Sequence, residues 1–204
     1  MRVFALPLLA SCALAACTTN TAPADTAAPV AVAGDPANPL SAAGYMGLAA
    51  SSDQFEIQSS QLALQASTNP AVQSFARLMI AHHQATTATL TAAAQSAGLP
   101  PPPPTLMPNE QALLDQVRAA GTGPAFDQAY KNAQIAGHQS ALQVHGNYAN
   151  GGDVPALRQA AASAVPIVQQ HLTSAQNLNV MAMEAPPPAQ QPTETAPVRS
   201  GERG

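Results

Sequence analysis

Apolar residues return along the middle of the chain at alternating steps of four and three, the spacing of helices that each bury one stripe. From Pro70 to Ala97 the stripe is Val72, Ala76, Met79, His83, Thr86, Leu90, Ala93 and Ala97. From Val154 to Met181 it is Leu157, Ala161, Ala164, Val168, His171, Ala175 and Leu178. Two more long helices follow from the same rule. One covers about 41–67 with Leu48, Phe55, Leu62 and Ala66; the other covers about 124–149 with Phe126, Tyr130, Ala133, Gly137, Val144 and Tyr148. A short helix near 109–120 carries Leu113, Leu114 and Val117.

Turn residues agree with these bounds. Asn69-Pro70 ends the first helix and starts the second, Gly98 and Pro100 to Pro104 stop the second, and Gly121 and Gly123 precede Pro124. Gly151-Gly152 turns the chain, and Asp153 is the predicted cap of the last helix. The first two long helices are joined tightly, as are the last two, so each pair reads as an antiparallel hairpin. Between the pairs lie 26 residues, 98–123, enough to run the length of a bundle of roughly 40 Å. The fold class expected is therefore all-α: a ferritin-like four-helix bundle with a short extra helix in the crossover and the third long helix parallel to the second. A simple up-down-up-down order, with the short helix across an open end, is the alternative.

The ends have a different character. Residues 18–39 and 184–204 are rich in Pro, Ala and Thr without helical period, and read as a disordered tether and tail around a folded part at 40–183. Before the tether, Arg2, the apolar run Val3 to Ala10 and Leu14-Ala15-Ala16-Cys17 have the order of a lipoprotein signal peptide. Residues 1–16 are then removed and Cys17 is acylated. An ordinary secretory cut near Ala15 or Ala16, leaving a free thiol, is the alternative. Either way the chain is exported. Thr18 stands where an aspartate would signal inner-membrane retention, so the expected location is the outer membrane, facing the periplasm, with the lipid anchor as membrane contact and an envelope protein as a further partner.

Composition narrows the function. No disulfide is expected, because Cys12 leaves with the signal and Cys17 carries lipid. With 7 basic and 11 acidic residues in 204, the chain is acidic, and nucleic-acid binding is disfavoured. No glycine-rich phosphate loop, no Gly-x-Ser-x-Gly elbow and no cysteine nucleophile after processing is present. No enzymatic site is expected.

Chemistry is concentrated in Glu56, His83, His138 and His171, one on each long helix. Counted from the end where the first hairpin turns, they fall in one layer spread over about 7 Å. Two readings are open. Three imidazoles and a carboxylate suit one zinc, copper or iron ion, with Met79 one turn before His83 as a soft donor. Alternatively, Glu56 accepts hydrogen bonds from one or two of the histidines in a buried structural cluster without metal. Carboxylate-bridged di-iron chemistry is excluded, because the positions three before the histidines are Ile80, Ile135 and Val168 instead of Glu. His82 and His145 are expected on the surface, Tyr130 and Tyr148 in the core. Pro166 should kink the last helix just before His171.

Phe55-Glu56-Ile57, Phe75 to His83, Phe126-Asp127-Gln128-Ala129-Tyr130 with His138, and Val165-Pro166 with His171-Leu172 together resemble the domain of unknown function 4142 family. The resemblance covers about Gly44 to Met181. It implies an exported bacterial protein with a ferritin-like fold and supplies no established activity. The family's acidic residue before the second-helix histidine is replaced here by His82.

Overall fold

The structure, a computed structural model, describes residues Ala33–Met181. The predicted signal peptide, Cys17, most of the tether and the tail lie outside the described residues. Within them the chain is all-helical: α1 (Ala42–Ala66), α2 (Pro70–Ser96), α3 (Pro108–Ala119), α4 (Pro124–Gly151) and α5 (Pro155–Gln176).

Local chemistry sets the ends. The Ser41 hydroxyl accepts from the Gly44 amide at 3.1 Å and opens α1; Asn69 does the same for Ala71 at 2.9 Å before α2. Gly123, at φ 74°, makes the turn into α4. Asp153 does not cap the last helix as expected. Val154 is the N-cap residue, and Asp153 Oδ1 accepts from the Tyr148 hydroxyl at 2.9 Å. The helix also stops at Gln176, five residues short of the periodic pattern, although Leu178 beyond it is still buried. Ala33 to Pro39, assigned by composition to the tether, turn back onto the start of α1, with the Ala43 amide bonded to the Ala33 carbonyl at 2.6 Å and the Ser41 hydroxyl bonded to the Asp35 carbonyl.

The four long helices form a ring in the order α1, α2, α5, α4, each packed on the next. Side-chain pairs fix the directions. Tyr45, near the start of α1, stacks on Tyr148 near the end of α4 with centroids 4.0 Å apart, while Ser60, later in α1, bonds Tyr130, earlier in α4, at 2.8 Å. Each neighbour is therefore antiparallel, and α4 is parallel to the diagonal α2. The segment between them has to travel the full bundle length. It does so along the outside of α1, where the Met107 amide bonds Ser51 Oγ at 2.7 Å, and it reaches α4 where the Gly123 amide bonds the Ala66 carbonyl at 3.3 Å. The short helix α3 lies against α1 and α4.

This placement corrects the stripe predicted for α1. Leu48, Leu62 and Ala66 are only half-buried, and the inward positions are Tyr45, Ala49, Asp53, Glu56, Ser59, Ser60 and Ala63, with Phe55 between. Helix α1 is covered on two sides, so its apolar periodicity is blurred and serine fills much of its interior face. Two apolar clusters flank its middle. One gathers Phe55, Phe75, Met79, Leu114, Val117 and Phe126; the other gathers Tyr45, Met46, Leu90, Tyr148 and Leu157. Leu114, 1% exposed, is how α3 joins the first of these. Leu114→Ala is expected to lower the unfolding free energy by about 2–4 kcal/mol, against about 0.5 kcal/mol or less for the exposed Leu78→Ala, both read from urea melts.

Candidate metal centre

Between the two apolar clusters the bundle interior becomes polar. His83 on α2, His138 on α4 and His171 on α5 are all buried, at 2%, 0% and 2% exposure. Their ring centroids are 5.7 Å apart for His83 and His138, and 5.3 Å for each of the other two pairs. One ring nitrogen from each lies within 4.8 Å of the others.

The second nitrogen of each ring is held from behind. His83 Nδ1 donates to Asp53 Oδ1 at 2.8 Å, and His138 Nδ1 donates to the Gln134 carbonyl at 2.7 Å. Neither acceptor has a proton to give while Asp53 is ionised, so both rings carry hydrogen at Nδ1 and a lone pair at Nε2. His171 Nε2 is bonded to His82 Nδ1 at 2.7 Å, which leaves Nδ1 as its inward atom. The inward atoms, Nε2 of His83, Nε2 of His138 and Nδ1 of His171, are buried and have no hydrogen-bond partner. Each of the three rings thus has one buried nitrogen without a partner, and the rings crowd together with centroids no more than 5.7 Å apart.

Glu56 stands beside this trio and is not a member of it. It is fully buried, neither carboxylate oxygen has a hydrogen-bond partner, and Oε1 lies 3.5 Å from His138 Nδ1. Gly137 admits it: a Cβ there would sit 2.9 Å from Glu56 Oε1 and 2.9 Å from the Phe55 ring. Glu56 thus approaches His138 without accepting a hydrogen bond from it, and the carboxylate that does accept from a histidine is Asp53. Met79 is buried in the apolar cluster with Phe75 and Ala76.

Protonation follows the surroundings. Burial pulls His83 down, but the hydrogen bond it donates to Asp53 and the charges of Glu56 and Asp53 outweigh it, and its pKa is raised. His171 has no carboxylate partner. Burial, then the neighbouring His83, His138 and His82, lower it to about 3, so it is neutral and able to ligate at neutral pH.

Four neighbours were not picked out by the sequence. Asp53 precedes Glu56 by three positions and shares its helical face, a signal that was present but lay outside any apolar stripe. Gln134 supplies its backbone carbonyl, which has no sequence signature. His82 is half-buried and stacks on His171 at 5.0 Å instead of facing solvent, because α5 brings His171 past His83 toward α2. His145, also expected outside, is 8% exposed and hydrogen-bonded to Tyr45 at 3.0 Å through the antiparallel packing of α1 on α4.

The fold and site together define a four-helix bundle with one long crossover and a buried three-histidine centre. Residues 27–178 match the family described as Domain of unknown function (DUF4142), and the chain belongs to that family. No curated protein matches it in sequence. Among solved structures it is similar to CopM in the Cu(II)-bound form, with a TM-score of 0.55, 17% identity, and coverage of 65% of this chain and 91% of that one. At that identity the likeness is one of fold.

Burial, with His83 also lowering it and Asp53 partly offsetting, brings His145 down to about 4. The unfolded chain then binds the proton first. The stability due to His145 is complete above its unfolded pKa of about 6.5 and is lost as pH falls toward 4. Urea melts of the chelator-treated protein should show this loss, on the order of 3 kcal/mol between pH 7 and pH 4. His145→Gln should flatten that part of the profile.

Proposed function

We propose that the chain is a ferritin-like protein of the cell envelope that binds a single transition-metal ion, without catalysing a reaction, through His83, His138 and His171. One observation carries this reading: each of the three buried imidazoles has a nitrogen with no partner on the protein, and one ring nitrogen from each lies within 4.8 Å of the others. A structural cluster would pair these atoms with one another or with Glu56, since an unpaired buried polar atom costs about 1–3 kcal/mol. A triangle with no side above 4.8 Å has a point within about 2.8 Å of every corner, so shifts of under about 1 Å per ring reach a metal–imidazole bond of about 2.0–2.1 Å.

The donor set is chemically suited to the task. Neutral imidazole serves zinc, copper and iron, and each ring is oriented by a hydrogen bond on its far side. Glu56 lies close enough to balance charge and, by a side-chain rotation, to supply an oxygen donor. The fold shared with CopM, described in its Cu(II)-bound form, favours copper. The single crossover supports the ferritin-like reading. The envelope location rests on Leu14-Ala15-Ala16-Cys17, with Cys17 as the lipid anchor and the membrane as the attachment it implies.

Protein purified without a histidine tag and incubated in turn with zinc, copper and iron should retain one equivalent of at least one ion. At ligand a thousandfold above Kd the linkage adds about 4 kcal/mol, or roughly 10 °C in Tm for a bundle of this size. His83→Ala and His171→Ala should each abolish stoichiometric retention and the rise in Tm. Wild-type protein that retains no ion and shows no shift would end the metal reading. For the anchor, Cys17→Ser should prevent lipid labelling and release the protein from membranes; a variant still processed and membrane-bound would contradict it.

A further inference from the structure

His83, His138 and His171 are at most 2% exposed, so an ion can reach them only through the protein. One cleft ends on their supporting residues. It opens between α2 and α5, encloses about 80 Å³, and has apolar sides formed by Ala49, Leu90, Ala164 and Ile167. Asp53, Thr86 and His145 also line it. Asp53 Oδ1 is the atom that holds His83 Nδ1, at 2.8 Å, and it also accepts from Thr86 Oγ1 at 2.8 Å. The same carboxylate thus borders the cleft and orients a metal-binding imidazole.

The outer wall is the weak part of its helix. Pro166 lies inside α5 between Ala164 and Ile167, has no N–H for the Ala162 carbonyl, and crowds that turn. Ile167, at 37% exposure, forms the rim. On the other approach to the site, His82 is stacked on His171 and bonded to it, which closes that side.

We propose that this cleft is the passage by which the metal ion reaches and leaves the three histidines, with Asp53, Thr86 and His145 as transient ligands along it. A cation entering exchanges water for the Asp53 carboxylate, the Thr86 hydroxyl and the free nitrogen of His145, whose Nδ1 is held by Tyr45. The other polar groups on its walls are the neutral hydroxyls of Tyr45, Thr89 and Ser163, weaker donors than a carboxylate or an imidazole. The proposal rests on the metal reading above.

Rates separate the two. Zinc or copper uptake by the full chain, followed by stopped flow, and release to a chelator should both slow about tenfold or more in Ile167→Trp, which covers the rim, with stoichiometry and Kd unchanged. Ile167→Ala should speed both. Leu78→Ala, at an exposed position on α2 outside the lining of the cleft, should leave uptake within about twofold of wild type. Unchanged rates in both Ile167 variants at full stoichiometry overturn the passage alone, as does slower release in Ile167→Trp with uptake unchanged. A wild-type protein that takes up no ion overturns the metal reading and the passage with it.

Discussion

The hydrogen bond from His83 Nδ1 to Asp53 Oδ1, 2.8 Å long and buried between α1 and α2, is the contact on which the centre of the bundle depends. A carboxylate in a helical core is tolerable only when its lone pairs are used. Asp53 uses them on three donors from one helix: His83, Thr86 and Thr87, each at 2.8 Å. A slide of α2 by one turn along α1 would break all three. The same bond sets the tautomer of His83 and therefore the direction of its lone pair. Register of the first hairpin and chemistry of the centre are one constraint.

Around that contact the bundle alternates in polarity along its axis. Phe55, Phe75, Met79 and Phe126 pack on one side of the histidine layer, and Tyr45, Leu90 and Tyr148 on the other. Water is kept from the layer at both ends, which strengthens every charge interaction within it. That environment is also why His171, with three histidine neighbours and no acid, is held neutral while His83 keeps an elevated affinity for protons.

Much of this was legible in the chain before its structure. The stripes of α2 and α5 were readable because apolar residues and histidine recur at nearly every inward position, and the 26-residue connection left few routes other than a full-length crossover. The interior of α1 was not, since Ser51, Ser52, Ser59 and Ser60 are buried there, and serine inside and serine outside look the same in a sequence. His138 and Glu56 could be placed in depth because helix rise converts residue number into distance. Which carboxylate meets which imidazole depends on rotation about the helix axes, and so Asp53 was passed over for Glu56. His82 and His145 were misplaced for the same reason: both lie at helix edges, where the tilt of a neighbour decides burial.

The three histidines are divided between the halves of the chain. His83 belongs to the first hairpin, His138 and His171 to the second, and the only covalent tie between the hairpins is the segment that wraps outside α1. An ion bound at the centre is therefore a cross-link between residues 55 positions apart. A clip of that kind acts on the unfolded chain as well as the folded one, because closing a long loop removes conformations whose number grows with its length. It would work as a removable counterpart of a disulfide. Loading and unloading would then change how firmly the two hairpins are held together, making the cohesion of the bundle a quantity set by the supply of that ion.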